Sequence, residues 1–215
     1  MNTKKIIIIL LSLIVVFYIA GELISRENEA PLPEEWNLVL VNKAYPVPDE
    51  YEINLLTLSN GERVDERIYP DLQKMFDDMR QLGHRPRVRS GYRSAKEQEE
   101  ILNAKIEAYI NEGYSRRSAK ELALQWMAEP NESEHQLGIA VDINPDYDLS
   151  KGQGFYQWLE NNSYKYGFVK RYPADKVSIT GISNESWHYR YVGKEVAEIM
   201  HEKNLCLEEY IEDLT

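Results

Sequence analysis

From Ile6 to Gly21 the chain is apolar at every position except Ser12, with Lys4 and Lys5 before this run and Glu22 after it. A run without a polar face cannot be one side of an amphipathic helix packed on a core. It is a little short of the roughly 20 residues that span a bilayer, and Leu23 and Ile24 extend it past Glu22. Cleavage signals are poor, because removal after Ala20 would place Tyr18 where a small side chain is wanted, and no lipid-acceptor cysteine lies near. The expectation is an uncleaved single-pass anchor over residues 1–21 in the cell membrane, with the lysines inside and the rest of the chain extracytoplasmic. The acidic, proline-bearing stretch 22–37 then reads as a tether, and residues 38–215 as one folded domain.

Composition narrows the partners. The chain carries 25 Lys+Arg against 36 Asp+Glu, a formal charge of -11, and no basic cluster is free of interleaved acids. A nucleic-acid binder needs a basic face to exchange for condensed counterions, so nucleic acid is set aside. The single cysteine, Cys206, excludes an intrachain disulfide and a cysteine-based zinc knuckle.

Within the domain, Ile68, Leu72, Met75, Phe76 and Met79 recur at helical spacing up to Gly83. Arg87 to Ser90 reads as a strand. Ser94 with Glu97 forms a capping box for a helix through Ile101, Ile106 and Ile110, and Ser118 with Glu121 a second box for a helix through Leu122 and Trp126. Gly138–Ile143 and Trp187–Val192 have strand character, and Val196, Ile199 and Met200 mark a late helix. Helices and short strands without a repeating βαβ rhythm predict an α+β fold, a small central antiparallel sheet with helices packed on it.

The chemistry concentrates at Ser133-Glu134-His135-Gln136-Leu137-Gly138-Ile139-Ala140-Val141-Asp142 and at Glu185-Ser186-Trp187-His188. His84, after a helix-ending glycine, and His201, on the polar side of the last helices, read as structural or solvated. Catalytic zinc takes three protein ligands from histidine and carboxylate and keeps a further position open. His135, Asp142 and His188 can supply that set. Singly, each histidine is as readily a hydrogen-bonded core residue, and Asp142 a turn former. A carboxylate among Ile139, Ala140, Val141 and Ile143 is nevertheless costly to bury unpaired, and a metal is one remedy. Glu185, three residues before His188, suits a general base beside a metal, though without one it is a loop acid. Arg93, at a strand-to-helix junction, suits stabilisation of a developing oxyanion, or else a helix-start salt bridge. Gln98 lies about a turn further into that helix and shares the same rim.

These residues are also where the sequence resembles a known family, the VanY-type D-alanyl-D-alanine carboxypeptidases, which are related to the L,D-carboxypeptidases and dipeptidases of peptidoglycan. The resemblance runs from about Val39 to Tyr191, on Ser-Gly-Tyr-Arg-Ser (90–94) with Gln98, Ser-x-His-x-x-Gly-x-Ala-x-Asp (133–142) and Glu-x-Trp-His (185–188). It implies one Zn2+ on His135, Asp142 and His188, acid/base work by Glu185, oxyanion stabilisation by Arg93, and substrate binding by Ser133 and Gln98 near the terminal carboxylate. The implied reaction removes the last D-alanine from peptidoglycan pentapeptide stems, with a role in glycopeptide resistance. The rivals are an L,D-carboxypeptidase acting on tetrapeptide stems, less readily an endopeptidase or free dipeptidase, and, from another class, a non-catalytic zinc- or peptidoglycan-binding module. Glu185 together with Arg93 argues for the enzyme, since a binding module needs neither.

Overall fold

The computed structural model describes residues 35–146 and 154–214. Along the chain run a hairpin of β1 (Leu55–Thr57) and β2 (Arg63–Asp65), α1 (Tyr69–Gln81), β3 (Pro86–Ser90), α2 (Ala95–Asn111), α3 (Arg116–Ala123) and a 3-10 turn (Glu134–Leu137). There follow β4 (Ala140–Pro145), α4 (Phe155–Asn162), β5 (Phe168–Lys170), α5 (Val177–Thr180), β6 (His188–Tyr191), α6 (Lys194–Lys203) and α7 (Leu207–Asp213). The central sheet has the order β3-β4-β6-β5, and every neighbouring pair is antiparallel. The α+β expectation holds.

The period of two along β4 decides which face does what. Val141 and Ile143 are fully buried and join Leu72, Met75 and Met79 of α1 in the main core, whereas Asp142 points to the other face. Burying each such side chain is worth roughly 1.5–3 kcal/mol, so a one-residue slip that turned them outward is strongly disfavoured. The same alternation on β6 sends Tyr189 into the core and leaves His188 and Arg190 on the face of Asp142. A second core joins Leu38 and Leu40 to Val196, Met200, Leu207 and Ile211 of the C-terminal helices. A third, formed by Leu102, Ile106, Ala119 and Ala123, holds α2 against α3.

Three expectations need correction. The cap of α3 is Ser115, whose hydroxyl accepts from the Ser118 amide, and the helix stops at Ala123. Trp126 therefore lies beyond it and is 41% exposed rather than core-facing. Trp36 and Asn37, assigned to the tether, belong to the packed body: Arg67 lies over the Trp36 ring, and the Asn37 amide donates to the Val192 carbonyl at 2.7 Å. The anchor itself falls outside the described residues, among which no helix is long and apolar enough to cross a membrane.

Candidate metal centre and its cleft

The 3-10 turn brings His135 to the head of β4, and the chain then reverses at Gly138, whose φ of 68° is left-handed backbone that suits glycine. A side chain there would also meet Ile53 Cδ1 at 2.6 Å. On the sheet, Asp142 and His188 are direct cross-strand partners, which alone brings their side chains together. Ser90 opposes Asp142 from the other side, across an irregularity in the β3–β4 ladder that lets the chain turn toward Gly91 and Arg93.

Asp142 Oδ1 lies 3.1 Å from His188 Nδ1 and 3.5 Å from His135 Nε2. Ligand atoms about 2.0–2.2 Å from a tetrahedral ion stand about 3.3–3.6 Å apart, so the second separation matches zinc and the first is slightly short of it. Ligand atoms of all three side chains lie within 4.8 Å of one another, and among the described residues this is the group of His, Cys, Asp and Glu suited to a metal. His135 Nε2 is buried with no hydrogen-bond partner, while Nδ1 on the same ring lies 2.7 Å from the Gly91 carbonyl. That carbonyl holds the proton on Nδ1 and leaves the Nε2 lone pair facing Asp142. The donor set, one orphaned imidazole nitrogen and a carboxylate shared between two rings, fits a divalent ion.

Electrostatics agree with this reading. Burial, aided by the charge of Arg93, lowers His135 to about 4, so its ring is neutral, as a ligand must be. Burial opposes charge on His188 too, but the carboxylates of Asp142 and Glu134 beside it prevail and raise it to about 9. His135 and His188 overcome burial at Asp142 and hold it well below the usual carboxylate range. Glu185, 6% exposed, has Oε2 at 3.7 Å from His188 Nδ1, and burial raises it to about 7 against the pull of His188 and Arg93.

A cleft of about 320 Å³ opens over this cluster, walled by Arg93, Ser133, Tyr172, Glu185 and Trp187, with Trp126 and Met127 on its outer side. Burial lowers Arg93, and the charges of Asp142 and Glu185 partly offset this. Ser133 stands at the N-cap of the 3-10 turn without spending its hydroxyl on a cap. Gln98 also lines the cleft, where one proton of its Nε2 goes to the Ala128 carbonyl at 2.7 Å and its Oε1 is buried without a partner, so the side chain ties α2 to the cleft wall. His84, edge-on to Phe155, and His201, stacked on Tyr164, do not line the cleft.

Sequence reasoning missed the support. The loop bearing Glu185 is held by its own amide to the Tyr172 carbonyl at 3.0 Å and by the Ser183 amide to the Gln125 carbonyl at 2.8 Å, so the segment just after α3 braces the candidate base. Glu134, fully buried, takes bonds from Arg171 and Arg190. Its position beside His135 was the one signal available.

Comparison with known proteins places this arrangement. Residues 61–194 match the family described as VanY: D-alanyl-D-alanine carboxypeptidase. A D-alanyl-D-alanine carboxypeptidase of Enterococcus faecalis is 52% identical over 178 residues, which cover 83% of this chain and 66% of that protein, just under two thirds of its length. Two solved structures, each 52% identical, superpose well. One is a mutant of a vancomycin-resistance D,D-pentapeptidase VanY from a VanB-type cassette in complex with Zn(II), with a TM-score of 0.79 over 82% of this chain and 99% of that one. The other is VanYB in complex with D-alanine-D-alanine, with a TM-score of 0.80 over 83% and 98%.

Proposed function

Because the chain belongs to the VanY family of D-alanyl-D-alanine carboxypeptidases, we propose that it is a zinc-dependent D,D-carboxypeptidase that removes the terminal D-alanine from peptidoglycan pentapeptide stems. The observation that carries the reading is the convergence of His135, Asp142 and His188 with Glu185 and Arg93 on one cleft. The relatives bound to Zn(II) and to D-alanine-D-alanine support it.

His135 through Nε2, His188 through Nδ1 and Asp142 through its carboxylate would hold the zinc. Bound there, the ion supplies Lewis acidity, which activates water and polarises a carbonyl. The protein's own groups do the rest. Glu185 takes a proton as water adds to the carbonyl carbon, and returns it to the departing amine when the C–N bond breaks. An apo value of about 7 places it where both transfers are feasible, and a dication nearby lowers it further. Arg93 meets the negative charge that grows on the carbonyl oxygen. The hydroxyl of Ser133, not spent on a cap, and the second amide proton of Gln98 bind the substrate near its terminal carboxylate.

The same proposal keeps residues 1–21 as a membrane anchor and 22–35 as a tether, with the enzyme outside the membrane where such stems are found. Membrane fractionation and protease shaving of intact cells test it: the chain should sediment with membranes and shaving should release the domain, whereas a chain already in the soluble fraction, or protected from the protease, would refute it. The activity is tested by D-alanine release. Release from pentapeptide but not tetrapeptide stems is expected, and release from the tetrapeptide alone would make the protein an L,D-carboxypeptidase.

A further inference from the structure

Glu134 neighbours a ligand in sequence, yet its side chain is fully buried and is not part of the cleft wall. Oε1 accepts from Arg171 Nε at 2.7 Å and from Arg190 Nη1 at 2.9 Å. Oε2 has no hydrogen-bond partner and faces His188 Nε2 at 3.6 Å, an atom equally buried and equally unpartnered. The two orphaned atoms complement each other, one an acceptor and the other a ring nitrogen that must carry a proton if Nδ1 is to bind a metal.

We infer that Glu134 is the positioning residue for His188. Its Oε2 accepts the Nε2–H, which keeps the proton on that nitrogen and aims the Nδ1 lone pair at the ion. The opposite edge of the ring is claimed by Asp142 at 3.1 Å and Glu185 at 3.7 Å, and Tyr172 packs on its face at 4.9 Å between centroids. Glu134 is therefore the acceptor within reach of Nε2. The arginines decide which oxygen does this, because they occupy Oε1 with donors and leave Oε2 free. They are themselves anchored. Glu208 of α7 grips Arg171 with bonds of 2.6 and 2.7 Å, and Arg190 Nη2 donates to the carbonyls of Asn37 at 3.0 Å and Val39 at 2.8 Å. Helix α7 and the segment around Asn37 and Val39 thus reach the metal centre through Glu134.

The inference rests on the zinc reading above, and its tests separate the two. In the zinc-loaded full chain labelled with 15N-histidine, long-range proton–nitrogen spectra are expected to show His188 protonated at Nε2 and ligated at Nδ1, with His135 the reverse. The isosteric Glu134→Gln variant supplies the perturbation. The arginines hold its carbonyl oxygen toward themselves, which turns its amide donor onto His188 Nε2 and favours the wrong tautomer. Its zinc dissociation constant is expected to rise about 10- to 100-fold, with a changed cobalt(II) visible spectrum. Glu208→Gln weakens the same network without touching His188, so its zinc affinity should stay within about threefold while its melting temperature falls. Ligation of His188 through Nε2, or equal losses of zinc affinity in the two variants, would overturn the inference. If Glu134→Gln does not fold, the wild-type spectrum decides alone. A wild-type chain that takes up no zinc would overturn the metal reading, and the inference with it.

Discussion

Alanine at Gly91 should damage the fold and the metal centre together. The reason is close approach: a Cβ built at Gly91 lies 2.1 Å from the Arg63 carbonyl oxygen and 3.1 Å from its carbon, both backbone atoms. No rotamer change relieves this, so β2 and the 90–94 segment must separate by about 1 Å to restore ordinary contact. That displacement acts on three bonds: Tyr92 N to Arg63 O at 2.6 Å, Gly91 N to Glu62 Oε2 at 3.0 Å, and His135 Nδ1 to Gly91 O at 2.7 Å. Overpacking costs about 1–3 kcal/mol and a lost hydrogen bond about 1 kcal/mol, for a loss of about 2–4 kcal/mol. In a domain of this size each kcal/mol shifts the melting temperature by about 2–4 °C, so Gly91→Ala should melt about 4–16 °C lower. Because the Gly91 carbonyl sets the His135 tautomer, its zinc affinity should also fall by about 10-fold or more. Thermal unfolding of the zinc-free protein and chelator competition measure the two effects. A variant that melts within 1 °C of wild type and keeps its zinc affinity would refute the reasoning.

Glu185→Gln should keep zinc and lose about 10²- to 10⁴-fold in kcat, read by steady-state kinetics beside a metal assay, and an active variant would remove Glu185 from acid/base work. Since Glu185 must be ionised to accept a proton, kcat/KM should fall on the acid side, with an apparent pKa at or below the apo value of about 7. At pH 7 zinc must displace the proton that His188 holds up to about 9, so binding should release about one proton, seen as buffer-dependent heat in calorimetry. The same shift has a sign for stability. The His188 contribution is fully present below its unfolded value near 6.5 and is lost as pH rises through about 9, so the zinc-free protein should melt lower at high pH. Arg171→Met leaves Glu134 and Glu208 short of a buried partner and should cost about 3–5 kcal/mol by denaturant titration, with little change if the network is dispensable.

What could be read from the sequence followed the range of each signal. Local periodicity gave α1 and α6, and the Ser94–Glu97 box gave the start of α2, because those patterns are decided within a few residues. Asp142 stood out as a carboxylate among Ile139, Val141 and Ile143, costly to bury unpaired, and with it came most of the metal cluster. Failures arose where local rules competed or where partners are distant. Ser115 and Ser118 are both plausible caps, and the structure uses the first. The strands β1, β2 and β5 have three residues each, too short for an alternation to register. The Glu134–Arg171–Arg190–Glu208 network joins residues 37 or more positions apart for each bond to Arg171, and no spacing rule announces it. Gln98 was set near the cleft, but its bond to the Ala128 carbonyl, 30 residues on, has no local signal.

The measurement that bears most directly on the central claim is mass spectrometry of a muramyl pentapeptide incubated with the zinc-loaded protein, the chelated protein and Glu185→Gln. The account predicts loss of one alanine with the zinc-loaded protein alone, and recovery of that loss when zinc is returned to the chelated sample. Unchanged pentapeptide with the zinc-loaded protein, or equal trimming after chelation, would contradict it.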